Sequence, residues 1–162
     1  MTTPAAVAGA LTRLAQYNSG DYEPASNPRG LDDGGHVINF PAALADMVTV
    51  SNWIAGTFAP LPVAEAPGMA LDMQAGLNFA VTLTGSRAIM DPTGAAPGQS
   101  GILIVTQGGA GGHQLTWSAA WRFAGGAPVL SPAAGAIDTV SFFVVSTAPL
   151  VILAATTFDF RA

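Results

Sequence analysis

Two histidines, His36 and His113, are the only side chains in this 162-residue sequence that ordinarily exchange a proton near neutral pH, so acid–base or imidazole-ligand chemistry would have to pass through them. Each sits in or beside a glycine-rich turn: His36 follows Asp32-Asp33-Gly34-Gly35, and His113 follows Gly108-Gly109-Ala110-Gly111-Gly112. A catalytic assembly would need one of them to meet a nucleophile and an orienting carboxylate in space. Ser100 is a poor nucleophile candidate, because Gly98-Gln99-Ser100-Gly101 misses the G-x-S-x-G elbow by one residue and reads as a turn. The Gly108–Gly112 run lacks both the G-x-G-x-x-G order and the Lys-Ser/Thr of a phosphate cradle, and reads as a flexible hairpin tip. Asp32-Asp33-Gly34 lacks the alternating oxygen ligands of a calcium loop and reads as a solvated turn. With no cysteine there is neither a disulfide nor a thiolate metal site. The expectation is a protein with no catalytic residue, no metal and no cofactor.

The charges say more than the chemistry-bearing residues do. Five Arg, no Lys and ten acidic residues make 9% of the chain, against about 25% in an ordinary soluble domain. A folded monomer of this mass exposes on the order of 7,500 Å², which spreads the charges at one per roughly 500 Å². Large uncharged patches on a soluble protein mark places where another subunit sits, so the deficit points to permanent assembly; the competing explanation is the Ala, Gly, Pro and Arg bias of a GC-rich genome. A net charge of −5 with scattered Arg excludes a phosphate-binding surface, hence no nucleic acid. The most apolar stretch, Val140 to Ala155, is broken by Ser146, Thr147 and Pro149 and falls short of the ~20 residues of a membrane span, hence no membrane. Met1 to Ala10 has no basic region ahead of an apolar block and does not read as a secretory signal.

The elements that would position these residues fall into two parts. Residues 1–67 read as an irregular N-terminal arm or attachment segment with one or two short helices. Thr3 can cap a helix with Pro4 at its first position and Val7, Leu11 and Leu14 on one face. Gln16 to Gly35 is turn-rich and reads as an irregular loop. Pro41 to Gly56 reads as a helix, with Leu44, Met47, Val48 and Ile54 at helical spacing, although Met47-Val48-Thr49-Val50 also suits a strand. Thr57 to Gly68, with Pro60, Pro62 and Pro67, reads as an extended connector. Residues 68–162 switch to period two: Phe79, Val81 and Leu83 alternate on one strand, Ile102 to Val105 forms a strand covered on both sides, and Leu115 with Trp117 and Trp121 with Phe123 make two short ones. Asp138 to Ser146 and Leu150 to Phe160 complete the set. The fold expected is mainly β, an antiparallel β-sandwich or jelly-roll assembly domain behind the arm.

Candidate core or subunit contacts are Leu44, Val48 and Trp53 in the first part and Trp117, Trp121, Phe123 and Phe142 in the second. The aromatic set Trp117, Trp121 and Phe123 most simply builds the core between two sheets, with a subunit contact or a sugar-stacking platform as the sharper readings.

The series Gly98-Gln99-Ser100-Gly101-Ile102-Leu103-Ile104 with Gln107, then Trp117, Trp121-Arg122-Phe123-Ala124-Gly125-Gly126 with Pro128, then Leu130-Ser131 and Ala134-Gly135-Ala136-Ile137-Asp138 with Phe142, resembles a module at the ends of tailed-phage and gene-transfer-agent virion proteins. The likeness covers roughly residues 78–162. It implies a β-sandwich that trimerises and projects from a particle. Under that resemblance the expected partners are the chain itself, as a homotrimer, and a major capsid protein or other virion protein. The expected place is the virion, assembled in the host bacterial cytoplasm, as a capsid decoration (cement) or head-spike subunit. A tail-fibre tip that recognises a host surface glycan is the alternative.

Overall fold

Apolar residues at every second position set the longer strands of the chain beyond Thr57, and glycine and proline set where those strands stop. The computed structural model describes residues 3–160, so the outermost residues of the two expected parts (1, 2, 161 and 162) lie outside the described residues. In chain order the elements are α1 (Ala5–Leu14), β1 (Asn18–Asp21), β2 (Gly30–Asp32), α2 (Gly35–Phe58), β3 (Leu61–Pro62), β4 (Gly68–Met69), β5 (Asn78–Leu83), β6 (Arg87–Ile89), β7 (Ser100–Gln107), β8 (Leu115–Trp117), β9 (Trp121–Phe123), β10 (Ile137–Thr147) and β11 (Leu150–Thr157). The chain is mainly β and separates into two compact units, Thr2–Gly56 and Thr57–Ala162. The division therefore falls ahead of the proline-rich connector, because Leu61, Val63 and Ala66 pack on the core of the second unit and β3 pairs with β5.

The β unit has a six-stranded sheet, ordered β3-β5-β7-β10-β11-β9, and a three-stranded sheet, ordered β4-β6-β8. From β3 to β9 the chain changes sheet at every step. Consecutive strands there never pair, and strands two apart lie parallel, as in Phe79↔Leu103 and Ala88↔Thr116. Parallel neighbours ordinarily need a helical crossover; here the crossover is a strand of the opposite sheet. The expected antiparallel pairing holds only for β10 with β7 and with β11. Alternation along a strand is identical for the two directions, which is why the pattern could not distinguish them. The same winding corrects the glycine run: Gly108–Gly112 joins strands of different sheets, so it is a crossover and not a hairpin tip. Gly109, Gly111 and Gly112 take positive φ there, which only glycine adopts at little cost.

Between the sheets lies one apolar cluster. Phe79, Val81 and Leu83 of β5, Leu103 and Val105 of β7 and Val140, Phe142 and Val144 of β10 meet Met69, Ile89 and Leu115 of the smaller sheet. Ile102 is 41% exposed and Leu103 fully buried, so the continuous apolar run of β7 is covered on one face only, contrary to the expectation of two. Three glutamines do the work of backbone. Buried Gln107 accepts from the His113 N–H (3.1 Å) and donates to its carbonyl (2.8 Å); Gln114 does the same for Leu130 at 2.8 and 3.2 Å; Gln99 donates to Met73 (2.7 Å) and accepts from Ala96 (3.3 Å). Each amide closes a loop where no strand neighbour exists. Both oxygens of buried Asp138 are likewise used, accepting from Ser131 N (2.7 Å) and Asp159 N (2.8 Å).

The N-terminal unit is folded, not an irregular arm. Pro4 stands at the N-cap of α1 without a side-chain cap, so Thr3 does not cap it. Val7 and Ala10 are buried, whereas Leu11 is 45% exposed and leaves the face expected for it. The expected loop contains β1 and β2, a short parallel pair, fastened by reciprocal amide bonds between Asn18 and Asn27 at 2.9 and 3.0 Å. Helix α2 spans 24 residues, so it is not short, and Pro41 lies inside it instead of opening it. The reversal at Asp33 and Gly34, both at positive φ, ends β2 and starts the helix upstream of the proline. A Cβ on Gly35 would collide with the Gly30 carbonyl, so glycine is required where the helix begins.

A Cβ on Gly101 would overlap the Leu77 carbonyl oxygen and press on Phe142, whereas one on Gly56, at the exposed end of α2, meets nothing. We therefore expect Gly101→Ala to destabilise by about 2–4 kcal/mol and Gly56→Ala to stabilise by about 0.5–1 kcal/mol. Urea unfolding midpoints of the two variants check this, and equal shifts in one direction would contradict it.

Candidate assembly surfaces

The residues singled out as contacts part company in the structure. Trp121 (5% exposed) and Phe142 (4%) are buried, while Trp117 and Phe123 are half-buried against the same cluster. Their rings form a connected chain: Trp117 lies 5.2 Å from Trp121 and 4.9 Å from Phe123, Trp121 lies 5.8 Å from Phe142, and Phe142 lies 6.4 Å from Phe79. Trp117 comes from the smaller sheet and the others from the larger, so the rings tie the two sheets together. Trp121 Nε1 donates to the Met90 carbonyl at 3.3 Å, while the buried Trp117 Nε1 has no hydrogen-bond partner. Trp121 and Phe142 are therefore core residues, and Trp117 and Phe123 lie at the edge of the core. An open depression of about 380 Å³ beside β9 is lined by Phe123, Gly125, Ala127, Pro128, Ala155 and Phe158, none of them charged.

Leu44 (46% exposed) and Val48 (57%) are surface residues of α2 and not core, and Trp53 is half-buried. The buried positions of that helix are Gly35, Asn39 and Asp46. Asn39 Nδ2 donates to the Gly30 carbonyl at 2.7 Å. Asp46 is gripped from α1 by Arg13, whose Nη2 and Nε donate at 2.6 and 3.0 Å. The hydrogen-bonded Arg13 guanidinium holds the Asp46 carboxyl below the usual carboxylate range, and Asp46 in turn raises Arg13. A helix held by polar bonds on its inner side turns its apolar side chains outward, the reverse of the usual amphipathic arrangement.

The outward face of the six-stranded sheet has a similar character. Across adjacent strands, Ile102 (41% exposed) of β7, Phe143 (47%) and Val145 (46%) of β10, and Leu153 (51%) of β11 stand side by side. Phe143 pairs directly with Leu153, which is followed across the ladder by Arg122. Val145 follows Phe143 on that face by alternation, beside a bulge between Val144 and Ser146. Ser141, Ala155, Ala80 and Ile104 fill the rows between them, so Arg122 is the one ionisable side chain on this part of the sheet. The segment β3-β5-β7 is parallel, and parallel sheets are found almost only with both faces covered.

The residues considered for chemistry occupy other roles. His36 is exposed at the start of α2 and His113 is half-buried beside the Gln107 amide. Ser100 opens β7 opposite Phe143, so it is a strand residue and not a turn residue. Asp32 and Asp33 form the turn into α2, where Asp33 N donates to Asp32 Oδ1 at 2.9 Å. Among the described residues no group of three or more His, Asp or Glu is placed to hold a metal, and no helix is long and apolar enough to cross a membrane. No protein-family model, curated protein or solved structure matches the chain.

Two expectations follow from these contacts. Because the Asp46 pKa is lowered by Arg13, the ion pair stabilises the N-terminal unit above the ordinary Asp pKa of about 4, and that contribution is lost as pH falls through the depressed folded value. Asp46→Asn should lower the melting temperature at pH 7 and flatten the acid limb of the stability profile; an unchanged acid limb would refute the linkage. In the β unit, Trp121→Phe should cost about 1–3 kcal/mol, from lost volume and the lost bond to Met90. Trp117→Phe should cost less than half as much, since its N–H bonds nothing. Denaturant titration of both variants reads the order directly.

Proposed function

We propose that the chain is a structural subunit of a phage-type particle, a capsid decoration or head-spike protein that assembles as a homotrimer and performs no catalysis. The observation that carries this reading is the apolar, almost uncharged outer face of the six-stranded sheet, where Ile102, Phe143, Val145 and Leu153 lie together with Arg122 as their one charged neighbour. A free monomer rarely keeps such a face. The winding of two sheets around one core suits a subunit whose task is to present surfaces. The stretch that resembles virion end modules, residues 78–162, lies wholly within the β unit. Self-association around a closed axis buries the sheet face, and the N-terminal unit supplies a second surface for a major capsid protein or other virion protein. The uncharged depression beside Phe123 and Phe158 favours a second reading, in which the chain is a tail-fibre tip and a host glycan occupies that hollow.

Light scattering on the purified chain should return a trimer mass at micromolar concentration, and Phe143→Asp with Leu153→Asp should raise the dissociation concentration by at least about tenfold. A wild-type monomer would overturn the assembly reading. Labelling a tagged copy on particles from a producing strain should place the label on the head. Label at the tail tip would transfer the reading to the fibre tip, and particles without label would remove the virion assignment.

A further inference from the structure

The outer side of α2 carries a pattern of its own. Taking Val37 as position a of a seven-residue repeat, the a positions are Val37, Leu44, Ser51 and Phe58, and the d positions are Phe40, Met47 and Ile54. Every one of these is exposed, the six large ones between 46% and 67%. The spacing of three and then four residues is kept without a break over the helix, which is the seam of a coiled coil. The two buried polar side chains, Asn39 and Asp46, both fall at c, as does half-buried Trp53, and buried Gly35 falls at f; both positions lie on the far side from the seam. Hydrogen bonds at Asn39 and Asp46 therefore fix the rotation of the helix so that its a and d residues point away from its own unit.

We propose that α2 is an assembly helix, and that three copies of this chain pack their Val37-to-Phe58 seams against one another in a parallel, in-register coil. The occupant of the seam is a second and a third copy for three reasons. No charge lies at any a or d position, so a charged partner finds no complement there, whereas an identical seam does. The flanking e positions (Pro41, Val48, Ala55) and g positions (Ala43, Val50, Thr57) are also uncharged; two-stranded coils usually carry salt-bridging charges there, and a seam widened by apolar e and g residues suits more than two strands. The six large seam residues leave roughly 600 Å² exposed per chain, at ~200 Å² for a large side chain, which approaches the ~800 Å² per partner of a standard interface. Closed threefold symmetry requires the helices to run parallel. This proposal rests on the homotrimer reading above, and names a surface for it separate from the sheet face.

The test uses the full chain. Leu44→Glu with Met47→Glu should raise the dissociation concentration of the oligomer by at least about a hundredfold with far-ultraviolet dichroism retained. Ile38→Glu, exposed at a b position, should leave it unchanged, and Leu44→Ile with Met47→Ile should keep the trimer. A folded double-Glu variant whose dissociation concentration stays within about threefold of wild type overturns the seam while leaving the sheet-face reading intact; a monomeric wild type removes both. Since the chain has no native cysteine, Val37→Cys gives an independent readout that does not require the Glu variant to fold. Under mild oxidation it should link copies in pairs, because parallel a positions meet across the axis, while Ile38→Cys should not. Equal linking of the two variants, or none at Val37→Cys, overturns the proposal.

Discussion

The β unit depends on one constraint: its core is shared between two sheets that the chain builds simultaneously. Met69, Ile89 and Leu115 have no apolar neighbour until β5, β7 and β10 lie opposite them, and those strands have no inner face to bury until the smaller sheet is present. Each pass from β3 to β9 contributes to both layers, so no single layer is finished before the other. The aromatic chain from Trp117 through Trp121 to Phe142 and Phe79 crosses the same gap and sets the distance between the layers. With so many long-range pairings, folding of this unit is expected to be slow for its size.

The N-terminal unit is organised by polar bonds instead. Its polar contacts are directional: the Arg13–Asp46 pair and the Asn39 amide on Gly30 on the inner side of α2, and the Asn18–Asn27 exchange at the surface. Such bonds fix orientation better than they supply stability. A helix oriented in this way can offer apolar residues to the outside without rotating to bury them. The low charge of the sequence is matched by the apolar residues left exposed on α2 and on the outer face of the six-stranded sheet.

Strand positions were legible because burial on one side writes itself as alternation: Phe79, Val81 and Leu83, or Val140, Phe142 and Val144, read inward in the sequence and in the structure. Pairing direction was not legible, because nothing in Leu103 or Val105 distinguishes a parallel neighbour from an antiparallel one. Helix α2 was legible as a helix from Leu44, Met47, Val48 and Ile54, but its start was not. Pro41 has the look of a first-turn residue, and the reversal that actually starts the helix depends on Asp33 and Gly34 together with the tight fit of Gly35 beneath Gly30. The same limit applied to Leu44 and Val48. Their spacing showed that they share a face, but which face is covered was decided by Arg13 and Gly30, distant in sequence. Core status was legible for Trp121 from its place on a short strand beside that of Trp117, and for Phe142 from its alternation with Val140 and Val144.

The parallel winding has an implication for the size an assembly can reach. A winding of this kind is open-ended in principle, because each turn leaves an edge on which another turn, or another molecule, can be laid down, and that is how filaments grow. Here both directions are stopped in the larger sheet. On one side the antiparallel hairpin β10–β11 occupies the edge of β7 and displaces β9 to its far flank, so the repeat cannot be continued in phase. On the other side the edge strand β3 is two residues long and ends in Pro62, which has no N–H to offer an incoming strand. In the larger sheet the geometry of a fibre former is thus interrupted on both flanks of the parallel segment β3-β5-β7.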